Sequence, residues 1–286
     1  MERRRLGRTG HESSVAILGG AACWAATPEQ AGVWLQEALD RGVNHLDIAP
    51  QYGAAEAVVG PHLAPRRQEL FVAGKTLRAN PDGAQDQFDN TRRLLVADVL
   101  DLYQAHAVTT LEELDRRSAA LERILRLRDQ GHTRFAGITG HDLAVPAVFL
   151  EALRRFDLDT VMFPVYPAMW GRPGYRESAE ELLGVCRQRD MGVMAIKAVA
   201  ARPWGQRPHT ATTWYDPYTS AQEIERGVRF VLSVPGVHAL CTPSDPVLTL
   251  AAIEAAGRFE RMTEDEQTVA MRATATEDHI FPMPTG

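Results

Sequence analysis

Four residues with distinct chemistry fall at or just beyond the ends of apolar runs. Asp47 closes the run in NHLDIA, Tyr52 follows across a short turn, Lys75 lies near the end of ELFVAGKT, and His106 near the end of VLDLYQAH. A carboxylate, a phenol, an ammonium and an imidazole are groups that move and stabilise protons. An ammonium beside a phenol favours the phenolate and eases release of its proton. A buried lysine with no anion would shed its own proton, so Asp47 is expected to pair with Lys75, keep it charged and fix its direction. Tyr52, with an unperturbed pKa near ~10, is then the candidate acid. A neutral His106 can orient an oxygen by hydrogen bonding. Taken singly, each has a plain structural alternative: a loop cap, a packed ring, a solvated cation, a satisfied imidazole. Their joint placement on consecutive strands argues against coincidence.

The elements that must hold these groups alternate along the whole chain. VAILGG, VNHLDIA, ELFVAGKT, VLDLYQAHA, TRFAGITG, TVMFPVYP, VMAIKAVA and HALCTP read as strands, each followed by an amphipathic stretch. Thr27 before Pro28 and Glu29 is a helix start, and Val33, Leu35, Ala38 and Leu39 mark the stripe expected to face the core. Gly42, Gly131 and Gly192 are expected to close helices as left-handed caps. Strands apolar at nearly every residue belong in a parallel sheet covered by helices. Eight βα units are the number that closes a (β/α)8 TIM barrel, whose reactive groups sit at the C-terminal strand ends. The main rival, a doubly wound open sheet, lacks its phosphate fingerprint, since GGAACW contains no GxGxxG. No linker-like segment interrupts residues 1–286, so one domain is expected, with a tail at about 275–286 either folded over the barrel or loose.

Asp47 with Tyr52, Lys75 in FVAGKT and His106 in DLYQAH resemble the Asp/Tyr/Lys/His tetrad of the aldo-keto reductases. RRLGRTGHESSVAILGG is similar to that family's N-terminal β-hairpin and first strand. The resemblance runs from about Arg5 to about Gly257. It implies reduction of an aldehyde or ketone, or the reverse: Tyr52 as acid/base, Lys75 and Asp47 tuning it, His106 orienting the carbonyl, and the hydride coming from a nicotinamide cofactor. The cofactor side departs from the family pattern. Thr139 and Gly140 stand where Ser-Asn grips the carboxamide, Phe163 where a glutamine is usual, and Ile196 where an aromatic commonly stacks on the ring. Lys197 could meet the diphosphate or serve an internal ion pair. Ser244 or Asp245 before Pro246 makes a helix N-terminus whose N–H groups could bind phosphate, although Asp245 brings a negative charge. The resemblance implies NADP(H), with NAD(H) the alternative. Trp24 and Trp204 are candidate substrate walls, with Trp170, Trp214 and Tyr215 on the later inserts.

Composition limits what else the chain can be. It has 286 residues, 45% hydrophobic and 24% charged, which suffices for a sizeable core, and its net charge of −6 argues against a phosphate-backbone binder. Cys23, Cys186 and Cys241 are widely spaced and form neither a disulfide framework nor a metal motif. With no membrane-length apolar run and no signal-like N-terminus, a cytoplasmic enzyme acting on a small molecule is the expectation. Two rivals stand beside it: a non-catalytic sensor that binds nicotinamide cofactor, as in channel β subunits of the same superfamily, and an aldolase using Lys75 as a Schiff base. Loops decide specificity on this fold, so substrate, direction and oligomeric state stay open.

Overall fold

A computed structural model describes residues 1–281; residues 282–286 of the expected tail lie outside the described residues. Strands β1 (Arg3–Arg5) and β2 (Glu12–Ser14) pair antiparallel as the expected hairpin. The strands β3 (Ala16–Gly19), β4 (His45–Asp47), β5 (Phe71–Thr76), β6 (Leu100–Ala105), β7 (Thr133–Thr139), β8 (Thr160–Pro164) and β9 (Gly192–Ile196) follow, each parallel to the one before. After an antiparallel ribbon of β10 (Ala200–Arg202) and β11 (Asp216–Pro217), β12 (Ala239–Cys241) pairs with both β9 and β3 and closes the barrel.

Helices α1 (Pro28–Asp40), α2 (Ala55–Leu63), α3 (Pro81–Leu95), α4 (Leu111–Asp129) and α5 (Val145–Arg155) cross over between successive strands. A short α6 (Pro167–Trp170) precedes α7 (Pro173–Gln188), and α8 (Ala221–Ser233) and α9 (Pro246–Gly257) complete the ring, with α10 (Glu264–Ala273) outside the repeat. Thr27 caps α1 in a reciprocal box with Gln30, as the Thr-Pro start predicts.

The strands separate two cores. Alternate side chains point to opposite faces, so every second residue enters the barrel. Ile17, Phe71, Ala73, Leu102, Met162, Met194 and Ala239 fill the interior together with Leu6 from the hairpin turn. Leu18, Leu46, Val72, Tyr103, Ile138, Phe163, Val193 and Leu240 face the helices. The same register, extended to the C-terminal rim, turns Asp47, Lys75 and Cys241 inward.

Three details differ from the sequence reading. Of the expected stripe of α1, Leu35 and Ala38 are buried and Leu39 partly so, but Val33 is 54% exposed and Ala31 is buried in its place. Gly42 and Gly131 do take left-handed conformations, with φ +86° and +77°, whereas α7 is ended by Asp190 at φ 52°. Gly192 is the first residue of β9, and a Cβ there would meet Leu6 Cγ at 2.7 Å, so close packing rather than a cap requires it. The insert after the seventh strand, where no strand was expected, carries the β10–β11 ribbon. Near the chain end Ile280 and Phe281 are buried, and the Ile280 N–H donates to the Tyr166 hydroxyl at 3.3 Å, so the tail folds back as far as residue 281.

Candidate active site

Asp47 ends β4, Lys75 lies one residue before the end of β5, and His106 follows β6 directly. Tyr52 is carried past Asp47 by a tight turn: the Tyr52 N–H donates to Ala49 O at 3.0 Å, and Ala54 N–H to Trp24 O at 3.1 Å. Gly53 permits that approach, with φ +56° and a Cβ position 2.4 Å from Trp24 O that only hydrogen can occupy.

The four groups converge. The Lys75 ammonium donates to Asp47 Oδ2 and to the Tyr52 hydroxyl, the latter at 3.2 Å, and the Tyr52 and His106 rings meet edge-on with centroids 6.0 Å apart. Asp47 is gripped from further sides: Gln104 Nε2 donates to Oδ1 at 3.3 Å, and the Cys241 thiol points at Oδ2 from 3.7 Å. The His106 turn is fixed by the Arg117 guanidinium, which donates to the His106 carbonyl, and by Ala107 N–H, which donates to Thr139 Oγ1 at 3.1 Å. His106 Nδ1 lies 3.1 Å from the Gln51 side-chain amide. A proton on Nε2 requires Nδ1 to accept, which the amide NH2 of Gln51 provides when its O and N are exchanged.

Burial and charge act on these groups in opposed senses. Burial lowers the pKa of Lys75, but Asp47, followed by Tyr52, outweighs it and holds the amine above its ordinary value. Burial, then Lys75 and His141, push His106 well below the ordinary imidazole range, so it is neutral. Tyr52 is pushed up to about 12: burial is the largest cause, Lys75 lowers, and Asp47 raises. Lys75 thus acts in the direction expected from sequence, but the net shift is upward because desolvation of a phenolate is larger.

The tetrad lines a cavity of about 1040 Å³ whose walls include Thr139, Ile196, Lys197, Ser244 and Trp24. Other expected contacts lie elsewhere. Phe163 points out of the barrel towards the helices, and its inward neighbour Met162 reaches the cavity. Gly140 is buried under Val108 and Val145 and offers no wall. Trp204 stacks on His209 at 4.4 Å and donates to Thr213 O at 2.8 Å; it packs its own loop, while Trp214 and Tyr215 reach the cavity. Asp245 does not line it. Its carboxylate caps α9, accepting from Val247 and Leu248 N–H at 3.0 and 3.1 Å, and it also takes the Thr212 N–H at 3.1 Å. The N–H groups expected to be free for phosphate are therefore filled from within. Trp170 is buried in the outer core.

Gln104, Cys241 and His141 were not singled out from sequence. Gln104 and Cys241 were readable as inward positions at the rim ends of β6 and β12; His141 sits on a loop, where no periodicity points to it.

A profile of the Aldo/keto reductase family matches residues 16–209. An uncharacterized oxidoreductase of Bacillus subtilis, YqkF, is 22% identical over 93% of this chain and 94% of its own length. Among solved structures, the holo form of aldo-keto reductase AKR11C1 from Bacillus halodurans superposes with a TM-score of 0.75 at 20% identity, covering 98% of each chain. An aldo-keto reductase from Klebsiella pneumoniae in complex with NADPH gives 0.68 at 19% identity, covering 100% of this chain and 99% of that one.

Proposed function

The chain belongs to the Aldo/keto reductase family, and on that premise we propose that it is a single-domain, nicotinamide-dependent reductase that interconverts a small aldehyde or ketone with its alcohol. The observation that carries this reading is the Tyr52 hydroxyl 3.2 Å from a lysine ammonium that a buried carboxylate holds, all on the wall of one cavity. The fit of a dinucleotide is supported by Lys197, whose ammonium lines the cavity over the Trp214 and Tyr215 faces, with no carboxylate partner among the described residues. Lys197 would meet the diphosphate, and Thr139, Met162 and Ile196 would contact the nicotinamide end. When bound, the reduced cofactor supplies the hydride.

The chain's own residues manage the oxygen and its proton. Tyr52 stays a phenol at neutral pH and donates to the oxygen that gains negative charge; Lys75, at 3.2 Å, stabilises the phenolate left behind. Asp47 keeps Lys75 charged, and Gln104 and Cys241 keep Asp47 in place. The neutral His106 orients the carbonyl from the edge of the Tyr52 ring. The three cysteines are free and buried, which supports work in a reducing cytoplasm. Turnover of an aldehyde panel with NADPH and NADH tests the reading: wild type reduces members of the panel, and Tyr52→Phe does not. Equal rates in the two proteins would remove Tyr52 from the mechanism.

A further inference from the structure

Of the 31 lysines and arginines in the chain only two are lysines, Lys75 and Lys197, and both line the same cavity. Their surroundings are opposite. The Lys75 ammonium is clamped between the Asp47 carboxylate and the Tyr52 hydroxyl. Lys197 Nζ sits instead over two aromatic faces, 4.8 Å from the Trp214 ring centroid and 5.3 Å from that of Tyr215. Its backbone is held in the left-handed region at φ 76°, a conformation a non-glycine residue keeps only where the surroundings impose it. Unlike Lys75, it keeps part of its surface accessible from the cavity.

We propose that Lys197 is a second reactive group of this cavity: an amine that condenses reversibly with aldehydes to form an imine, while Lys75 does not. The neutral Nζ attacks the carbonyl carbon and forms a C–N bond. The nitrogen gives up its two protons, the carbonyl oxygen takes them up and leaves as water as the C–O bond breaks, and a C=N bond results with no change of oxidation state. The step therefore needs no oxidant or reductant. A neutral amine is the requirement: Lys197 has no carboxylate partner among the described residues to hold it charged, and although the Trp214 and Tyr215 faces favour the ammonium, the neutral form is within reach in the mildly alkaline range. Burial, opposed by the Cys241 thiol and aided by the Lys75 charge, brings Lys197 down to about 8; the neighbouring His106 and His141 are held neutral, and Tyr215 stays protonated. Asp47 holds Lys75 in the opposite direction. The Schiff base forms just past the end of β9, across the barrel from β5, rather than at Lys75. This inference uses only the two amines and the cavity, and it stands whether or not the protein reduces carbonyls.

The test is reductive alkylation of the cofactor-free protein with butanal and cyanoborohydride, followed by peptide mapping. In the folded protein Lys197 is expected to label at least ~100-fold faster than Lys75, because the neutral fraction of an amine changes tenfold per pKa unit. The rate should climb as pH is raised towards about 8, and guanidinium-unfolded chain should label at both lysines alike. Lys197→Arg should abolish fast lysine labelling and leave only the Met1 amine reactive. Equal labelling of the two lysines in the folded protein, or fast labelling confined to Lys75, would overturn the proposal.

Discussion

The Lys75 ammonium and the Tyr52 hydroxyl are 3.2 Å apart in a site where the phenol is pushed up to about 12 by burial, against the pull of that same cation. The phenol therefore remains a donor through the neutral and mildly alkaline range. Carbonyl reduction should not fall between about pH 7 and about pH 9 through loss of the Tyr52 proton. Lys75→Met removes the one charge that lowers this pKa, and turnover should drop by roughly 100- to 10,000-fold, the range of a positioned acid. A pH–rate profile of both proteins measures this; a limb near the unperturbed tyrosine value in wild type would contradict it.

Asp47 is the anion on which the buried ammonium depends, and both are about 1% exposed. Asp47→Asn leaves Lys75 without a carboxylate, and breaking a buried pair costs about 3–5 kcal/mol. Urea unfolding should show that loss near neutral pH. The sign with pH follows from a lysine whose folded pKa is raised: its contribution is complete below the unfolded value and fades as pH rises through the folded one. The gap between wild type and Asp47→Asn should therefore narrow only at strongly alkaline pH.

Asp245 occupies, with its own carboxylate, the N–H groups at the start of α9. A phosphate at that helix end would compete with it and meet its charge. Asp245→Asn keeps an acceptor for the cap and removes the charge, so it should raise affinity for NADPH relative to NADH by several-fold, with a modest stability cost of about 1 kcal/mol or less. Fluorescence titration of both cofactors into both proteins reads the ratio. An unchanged ratio would separate Asp245 from cofactor choice.

What the sequence made legible follows from where each residue sits in a repeating unit. Asp47, Lys75 and His106 could be placed because strand ends recur at fixed points of a βα repeat. Phe163 was misplaced for the same reason that Met162 reaches the cavity: in a strand, one residue of register exchanges the two faces. Trp204 and the β10–β11 ribbon depend on pairing across a long insert, which no local pattern encodes. Helix α10 lies beyond the barrel repeat and was not expected, although Thr263 and Glu266, which form a reciprocal capping box ahead of it, carry a start signal in the sequence.

Glu56, on α2 facing α3, is a carboxyl group that the proposed chemistry does not use. It is buried at 4% exposure and accepts a 2.8 Å hydrogen bond from Thr91 Oγ1. Burial raises its pKa, with the Thr91 bond and the Lys75 charge opposing. A raised carboxyl favours folding below the ordinary glutamate value of 4.5, and that contribution is lost as pH climbs through the folded value. Glu56→Gln keeps an acceptor for Thr91 and cannot ionise, so it should match wild type in acid and exceed it at neutral pH. Urea midpoints of the two proteins across that range provide the measurement, and a wild type more stable than the variant at neutral pH would show that the ionised carboxylate is accommodated after all.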